Sequence, residues 1–168
     1  MGKRIGAVLA LVLGTGAVFA QTKVAVVSMQ AALLETAELK KDQADMEARY
    51  KPRQQQIDQL QKDIAALQQQ LQSNKLNADG EADITAQGQR KQRELQRMDQ
   101  DLREDVQRDR DRILRAAGQR MAEVIHKLAE QRGYDLVIDV STTYYFKPAM
   151  DLTKDATAAY DQAYPPKP

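Results

Sequence analysis

Residues 50–71 read Tyr-Lys-Pro-Arg-Gln-Gln-Gln-Ile-Asp-Gln-Leu-Gln-Lys-Asp-Ile-Ala-Ala-Leu-Gln-Gln-Gln-Leu. The apolar positions Tyr50, Ile57, Leu60, Ile64, Leu67 and Leu71 step by 7, 3, 4, 3 and 4. Two apolar residues per heptad make an a/d seam, the signature of a coiled coil. A helix on a globular core shows a broader stripe. Further on, Leu95, Met98, Leu102, Val106, Ile113, Ala117, Val124 and Leu128 step by 3, 4, 4, 7, 4, 7 and 4. The 33 residues from Leu95 to Leu128 make three elevens. That period corresponds to a straighter or slightly right-handed course.

Between the two seams lies Ser73-Asn74-Lys75-Leu76-Asn77-Ala78-Asp79-Gly80, rich in turn formers. Asp79, Glu81 and Asp83 follow where a new helix would begin, and the helix dipole favours acids there. The pattern predicts two antiparallel helices over 35–133, joined by a tip near 76–80. At 1.5 Å per residue such an arm is ~60–70 Å long. Pro52 is expected to kink or interrupt the first helix. Residues 35–132 hold 19 bases and 19 acids. Their densest run, Arg103 to Arg112, alternates in sign and lies at the level of the equally polar 40–56. It reads as a solvated, charge-laced face, compatible with an arm that borders a cavity.

Outside this region the pattern changes. Lys23-Val24-Ala25-Val26-Val27-Ser28 reads as a strand, and Met29 to Leu34 as a helical turn or two. Gly133 is placed to cap the long helix. Tyr134 to Val140 reads as a second strand and Thr142 to Lys147 as a third, turned by Ser141-Thr142. Asp151-Leu152-Thr153 starts a last helix running toward Gln162. The tail 165–168 reads as disordered. The fold class is therefore α+β, mostly α. A small β-body is built from 21–34 and 134–164 and carries a long helical hairpin. A body of 14 and 31 residues is small for an independent core, and short strands leave open edges. It is expected to oligomerise.

At the start, Lys3 and Arg4 precede the apolar run Ile5–Phe19, which ends in Val18-Phe19-Ala20. This reads as a secretory signal peptide over 1–20. Loss of Lys3 and Arg4 takes the net charge from +1 to −1, which disfavours nucleic acid as a partner. The chain has no Cys and one His, so thiolate metal sites and cysteine nucleophiles are excluded and a Ser-His-Asp site lacks parts. No Gly-rich phosphate loop occurs, which argues against ATP use. No catalytic residue, cofactor or metal is expected. His126 reads as an exposed helix residue, and Met46, Met98 and Met121 as packing residues.

The order of parts resembles the Skp/OmpH family of periplasmic outer-membrane-protein chaperones. The resemblance is carried by Lys23-Val24-Ala25-Val26-Val27-Ser28-Met29, Tyr134-Asp135-Leu136-Val137-Ile138-Asp139, the aromatic pair Tyr144-Tyr145, Asp151-Leu152-Thr153, and Tyr50-Lys51-Pro52-Arg53. It implies a jellyfish-shaped homotrimer. Its body strands would map to 23–28, 135–140 and 143–147, and Val24, Val26, Leu136, Val137, Ile138, Tyr144 and Tyr145 would join the chains. Unfolded outer-membrane proteins would be held between the arms without ATP and kept soluble on their way to the outer-membrane assembly machinery. The expected client surface is distributed over Leu60, Leu67 and Met98 and the tip cluster Arg90, Lys91, Arg93 and Arg97, opposed locally by Glu94. That cluster could also meet an anionic lipid surface. The chain departs from the family's basic character, and Asp109 stands where a base is expected beside Arg97, Gln100 and Arg108. The competing reading is a structural or adaptor coiled coil of the envelope with one fixed partner.

Overall fold

The computed structural model describes residues 22–73 and 77–166. The signal-peptide reading, the centre of the loop at 74–76 and the last two residues lie outside the described residues. Strand β1 (Val24–Val27) leads into helix α1 (Met29–Glu35), then α2 (Ala37–Gln72), α3 (Ala78–Arg132), strand β2 (Leu136–Asp139) and α4 (Thr153–Ala163). The protein is mostly helical with a two-stranded sheet.

Short polar side chains set the breaks. Ser28 Oγ accepts the Ala31 amide at 3.2 Å and starts α1. Thr36, fully buried, closes α1 and opens α2: its hydroxyl donates to the Leu33 carbonyl at 2.8 Å and accepts the Leu39 amide at 3.3 Å. Asn77 Oδ1 accepts the Gly80 amide at 2.9 Å, so α3 begins at Ala78. Ala78, Asp79 and Gly80 thus form the first helical turn and not the tip itself, because the Asn77 cap outweighs the turn preference of Asp-Gly. Asp79 and Glu81 lie in that first turn, as the dipole favours. Gly133 ends α3 in the left-handed conformation, with φ 64°, and its amide reaches Ala129 and Glu130. Pro52 does not interrupt α2, which runs through it.

β1 and β2 pair in parallel, Val24 opposite Leu136 and Val27 opposite Asp139. The far edge of β1 carries a bridge from Val26 to Asp151. The third strand expected at 143–147 does not form. Asp139 accepts the Ser141 amide on its carboxylate and the Thr142 hydroxyl on its carbonyl, which tightens 140–142 into a 3-10 turn. A second 3-10 turn at Pro148–Met150 then delivers Asp151 to β1. The intervening residues have no ladder partner, and Tyr144 and Tyr145 are exposed, at 108% and 80%. Of the other body residues, Val26 is buried, Val24, Val137 and Ile138 are half-buried, and Leu136 is exposed.

The core is not confined to the β-body. Val27, Leu33, Leu39, Met121, Val124, Leu128, Ala156 and Tyr160 form one buried cluster with Ala32 and Ala117. The seam of α3 therefore becomes core at its C-terminal end, where α4 folds against it and widens the contact beyond an a/d line. Farther out, Ile57, Leu60, Ile64 and Leu102 are buried along the α2/α3 seam. Ion pairs join Glu38 to Arg120, Arg49 to Asp109, Arg53 to Asp105 and Asp63 to Lys91. The α3 partner falls in number as the α2 partner rises.

Candidate functional site

Among the described residues no group of three His, Asp or Glu is placed to hold a metal ion, and no helix is long and apolar enough to cross a membrane. The chemistry of the surface lies in three places along α2 and α3.

At the base, Glu38 of α2 accepts from Arg120 of α3 and from the Tyr160 hydroxyl of α4, each at 2.5 Å. Burial, and then the bond to Glu38, push the Tyr160 phenol far above its ordinary range. It stays neutral and donates. Asp161 accepts the Ala37 amide at 2.9 Å, and Arg120 lies 5.3 Å over the Tyr164 ring. These contacts tie α2, α3 and α4 together at the root of the helix pair.

One step outward, a groove of about 470 Å³ opens between Leu34, Met46 and Tyr50 on one side and Val106, Ile113 and Leu114 on the other. Gln43, Glu47 and Arg110 supply polar groups around it. At its outer end the Tyr50 hydroxyl donates to Asp109 at 2.8 Å, and Arg49 reaches the same oxygen at 2.9 Å. The bond from Tyr50, aided by Arg112 and Arg49, holds the Asp109 carboxyl below the usual carboxylate range. Arg53 does the same to Asp105 across 2.6 Å.

The tip cluster is less one-sided than its sequence suggests. Arg90, Arg93 and Arg97 are exposed, but Lys91 donates to Asp63 at 2.8 Å, so an acid of α2 joins Glu94 in opposing it. Of the apolar candidates, Leu67 and Met98 are half-buried, while Leu60 is only 7% exposed and offers little surface. Met121 is wholly buried, Met46 lines the groove, and His126 is exposed. The groove and the Glu38–Arg120–Tyr160 network were not anticipated. Tyr50, Met46 and Val106 carried a signal as apolar breaks in a polar run, whereas nothing local links Glu38, Arg120 and Tyr160.

A small sheet-and-helix body rooting two long, charge-laced helices, with neither metal cluster nor membrane-spanning helix among the described residues, defines an elongated scaffold whose surface lies along the helix pair. The chain belongs to the OmpH-like outer membrane protein family, whose model matches residues 23–160. It is 27% identical over 158 residues to the "Skp-like protein" of Pseudomonas aeruginosa, an alignment covering 92% of this chain and 94% of that one. Its fold is similar to the crystal structure of an OmpH-like protein from Caulobacter crescentus described as a candidate outer membrane chaperone. The TM-score is 0.69, the identity 17%, and 89% of each chain is covered.

Proposed function

We propose that this protein is an ATP-independent holdase of the periplasm, exported by a cleaved signal peptide over residues 1–20, and not an enzyme. It keeps unfolded outer-membrane proteins soluble until they reach the assembly machinery. The observation that carries this reading is the α2/α3 pair in a chain of the OmpH-like family. Two long helices present mixed charge, an apolar groove and scattered half-buried Leu and Met, and offer no fixed catalytic constellation. An unfolded outer-membrane protein alternates apolar and polar residues and has no shape for a pocket to read. Many weak contacts along an antiparallel hairpin arm, multiplied by enclosure between several arms, hold such a chain through high effective concentration.

The body joins three chains in this reading. Tyr144, Tyr145 and Leu136 are exposed, Leu136 at 50%, and the sheet has only two strands. A sheet edge and exposed aromatics call for cover. Contacts with client then fall to Leu67, Met98, the groove and Arg90, Lys91, Arg93 and Arg97, with Leu60 supporting the seam beneath. The same bases could meet an anionic lipid surface.

The test is light scattering of a denatured porin diluted into buffer with the protein and no nucleotide. Suppressed aggregation supports the holdase, and unchanged aggregation refutes it. The groove at the root of the arm favours the second reading, an adaptor with one fixed partner. A porin titration with Leu67, Met98, Arg93 or Arg97 changed singly to Ala separates the two. Graded losses fit the distributed surface. Abolition by one change with the assembly intact favours the adaptor.

A further inference from the structure

The buried interior of the helix pair is interrupted. No residue of α2 is buried between Leu39 and Ile57, and none of α3 between Leu102 and Ala117. The two gaps lie at the same level, because Arg49 and Arg53 meet Asp109 and Asp105 there. A root unit around Met121 and Tyr160 and an outer unit around Ile57, Leu60, Ile64 and Leu102 are thus joined through a stretch in which no residue of either helix is fully buried. Pro52 falls inside this stretch. It has no amide hydrogen, so the Ala48 carbonyl lacks its helical donor. Both helices are weakest at one level, and on one of them the hydrogen-bond ladder is also broken.

Side chains compensate on either side of the break. Arg49 and Tyr50 precede Pro52 and share the Asp109 carboxylate, at 2.9 and 2.8 Å. Arg53 follows it and takes Asp105 at 2.6 Å. Arg112 and Arg108 hold the same two carboxylates from within α3, at 2.7 and 3.2 Å. The Asp109 side chain is only 14% exposed, so this is a partly desolvated knot and not a loose surface pair. Tyr50 also lines the apolar groove on the root side.

We propose that Pro52 is a hinge dividing the helix pair into two rigid units, and that the Tyr50–Asp109 and Arg53–Asp105 contacts are the latch that holds it straight. Release of the latch lets the outer unit swing and opens or narrows the groove beside Tyr50. A bend of about 20°, where sharp helix kinks begin, carries residue 68 about 8 Å sideways over the roughly 24 Å that sixteen helical residues span.

The chain has no native Cys, so spin labels placed by Gln68→Cys and Lys154→Cys report one distance between outer unit and body. Labelled chain is diluted with unlabelled chain so that only this distance is read, by pulsed electron spin resonance. Tyr50→Phe with Asp109→Asn is expected to broaden the distribution by about 8 Å, the displacement worked above. Pro52→Ala, which restores the missing amide, is expected to narrow it again in that background. Asp63→Asn cuts the outer ion pair with Lys91 and is expected to leave the width unchanged. The proposal is overturned if the latch variant keeps the parent width. It is equally overturned if Pro52→Ala fails to narrow it, or if Asp63→Asn broadens it as much. No client enters the measurement, so its result is independent of the holdase reading.

Discussion

Met121→Ala tests where the stability of this protein resides. Met121 is 0% exposed and sits among Ala117, Val124, Leu128, Leu39 and Tyr160, at the crossing of α2, α3 and α4. Truncating a buried Met, Leu or Ile costs about 2–5 kcal/mol, the cost rising with the cavity left behind. Packing from three helices resists collapse around the gap, which places this change at about 3–5 kcal/mol. Leu67→Ala removes a side chain of similar size from the outer seam, where it is half-buried. There the transfer term is incomplete and solvent fills the space, so about 1–2 kcal/mol is expected. For a chain of this length each kcal/mol moves the melting temperature by roughly 2–4 °C. Met121→Ala should therefore melt at least about 6 °C lower, and Leu67→Ala only a few degrees. Thermal unfolding followed by circular dichroism, at one fixed protein concentration because the proposed assembly would add to stability, gives the comparison. A loss from Leu67→Ala equal to or greater than that from Met121→Ala would refute the placement of the core at the root of the helix pair.

Tyr160→Phe should cost about 1.5 kcal/mol, the low end for a hydrogen bond to a charged group, because Arg120 still holds Glu38; adding Glu38→Gln should cost less than the separate losses combined, and strict additivity in urea titrations would break the network assignment. The carboxyls of Asp63, Asp105 and Asp109 are held low by Lys91, Arg53 and Tyr50 respectively. Their contribution is therefore complete above the unfolded carboxylate value of about 3.9 and lost as pH falls through the lower folded values. Melting temperature should stay level from neutral pH to about 5 and drop below about 4, and Asp109→Asn should shrink that drop; a drop of full size in the variant counts against the knot. If the body joins three chains as proposed, Tyr144→Ser with Tyr145→Ser should dissociate them in native mass spectrometry while circular dichroism retains the helices, and an intact trimer would move the subunit contact elsewhere.

Local signals in the sequence account for much of the helix pair. The burial of Ile57, Leu60, Ile64 and Leu102 follows from spacing alone, since a side chain every three or four residues returns to one helix face. Gly133 is the residue that best tolerates the left-handed φ of 64° at the end of α3. The near miss at the tip has a local cause as well: Asp-Gly favours a turn, but an Asn cap three residues before Gly80 recruits both into a helix. The third strand failed for a non-local reason. Thr142 to Lys147 has the residues of a strand, but a strand exists only where a ladder is free. The turn after Asp139 leads the chain away from the free edge of β2, and Asp151 takes the far edge of β1.

The sequence by itself determined the long helices, their thin seam, their charge-laced middle and the shift to strands and aromatics at the flanks, because periodicity and caps act within a few residues of one another. Only the tertiary structure decided that Met121 and Val124 are core and not seam, because α4 folds back to bury them beneath Tyr160. It alone brought Glu38, Arg120 and Tyr160 into one network, since residues 82 and 122 positions apart meet only through the path of the whole chain. The coincidence of Pro52 with the gap in both helices is of the same kind: register between two helices is settled by the packing of every residue along them, and no single stretch of sequence contains it.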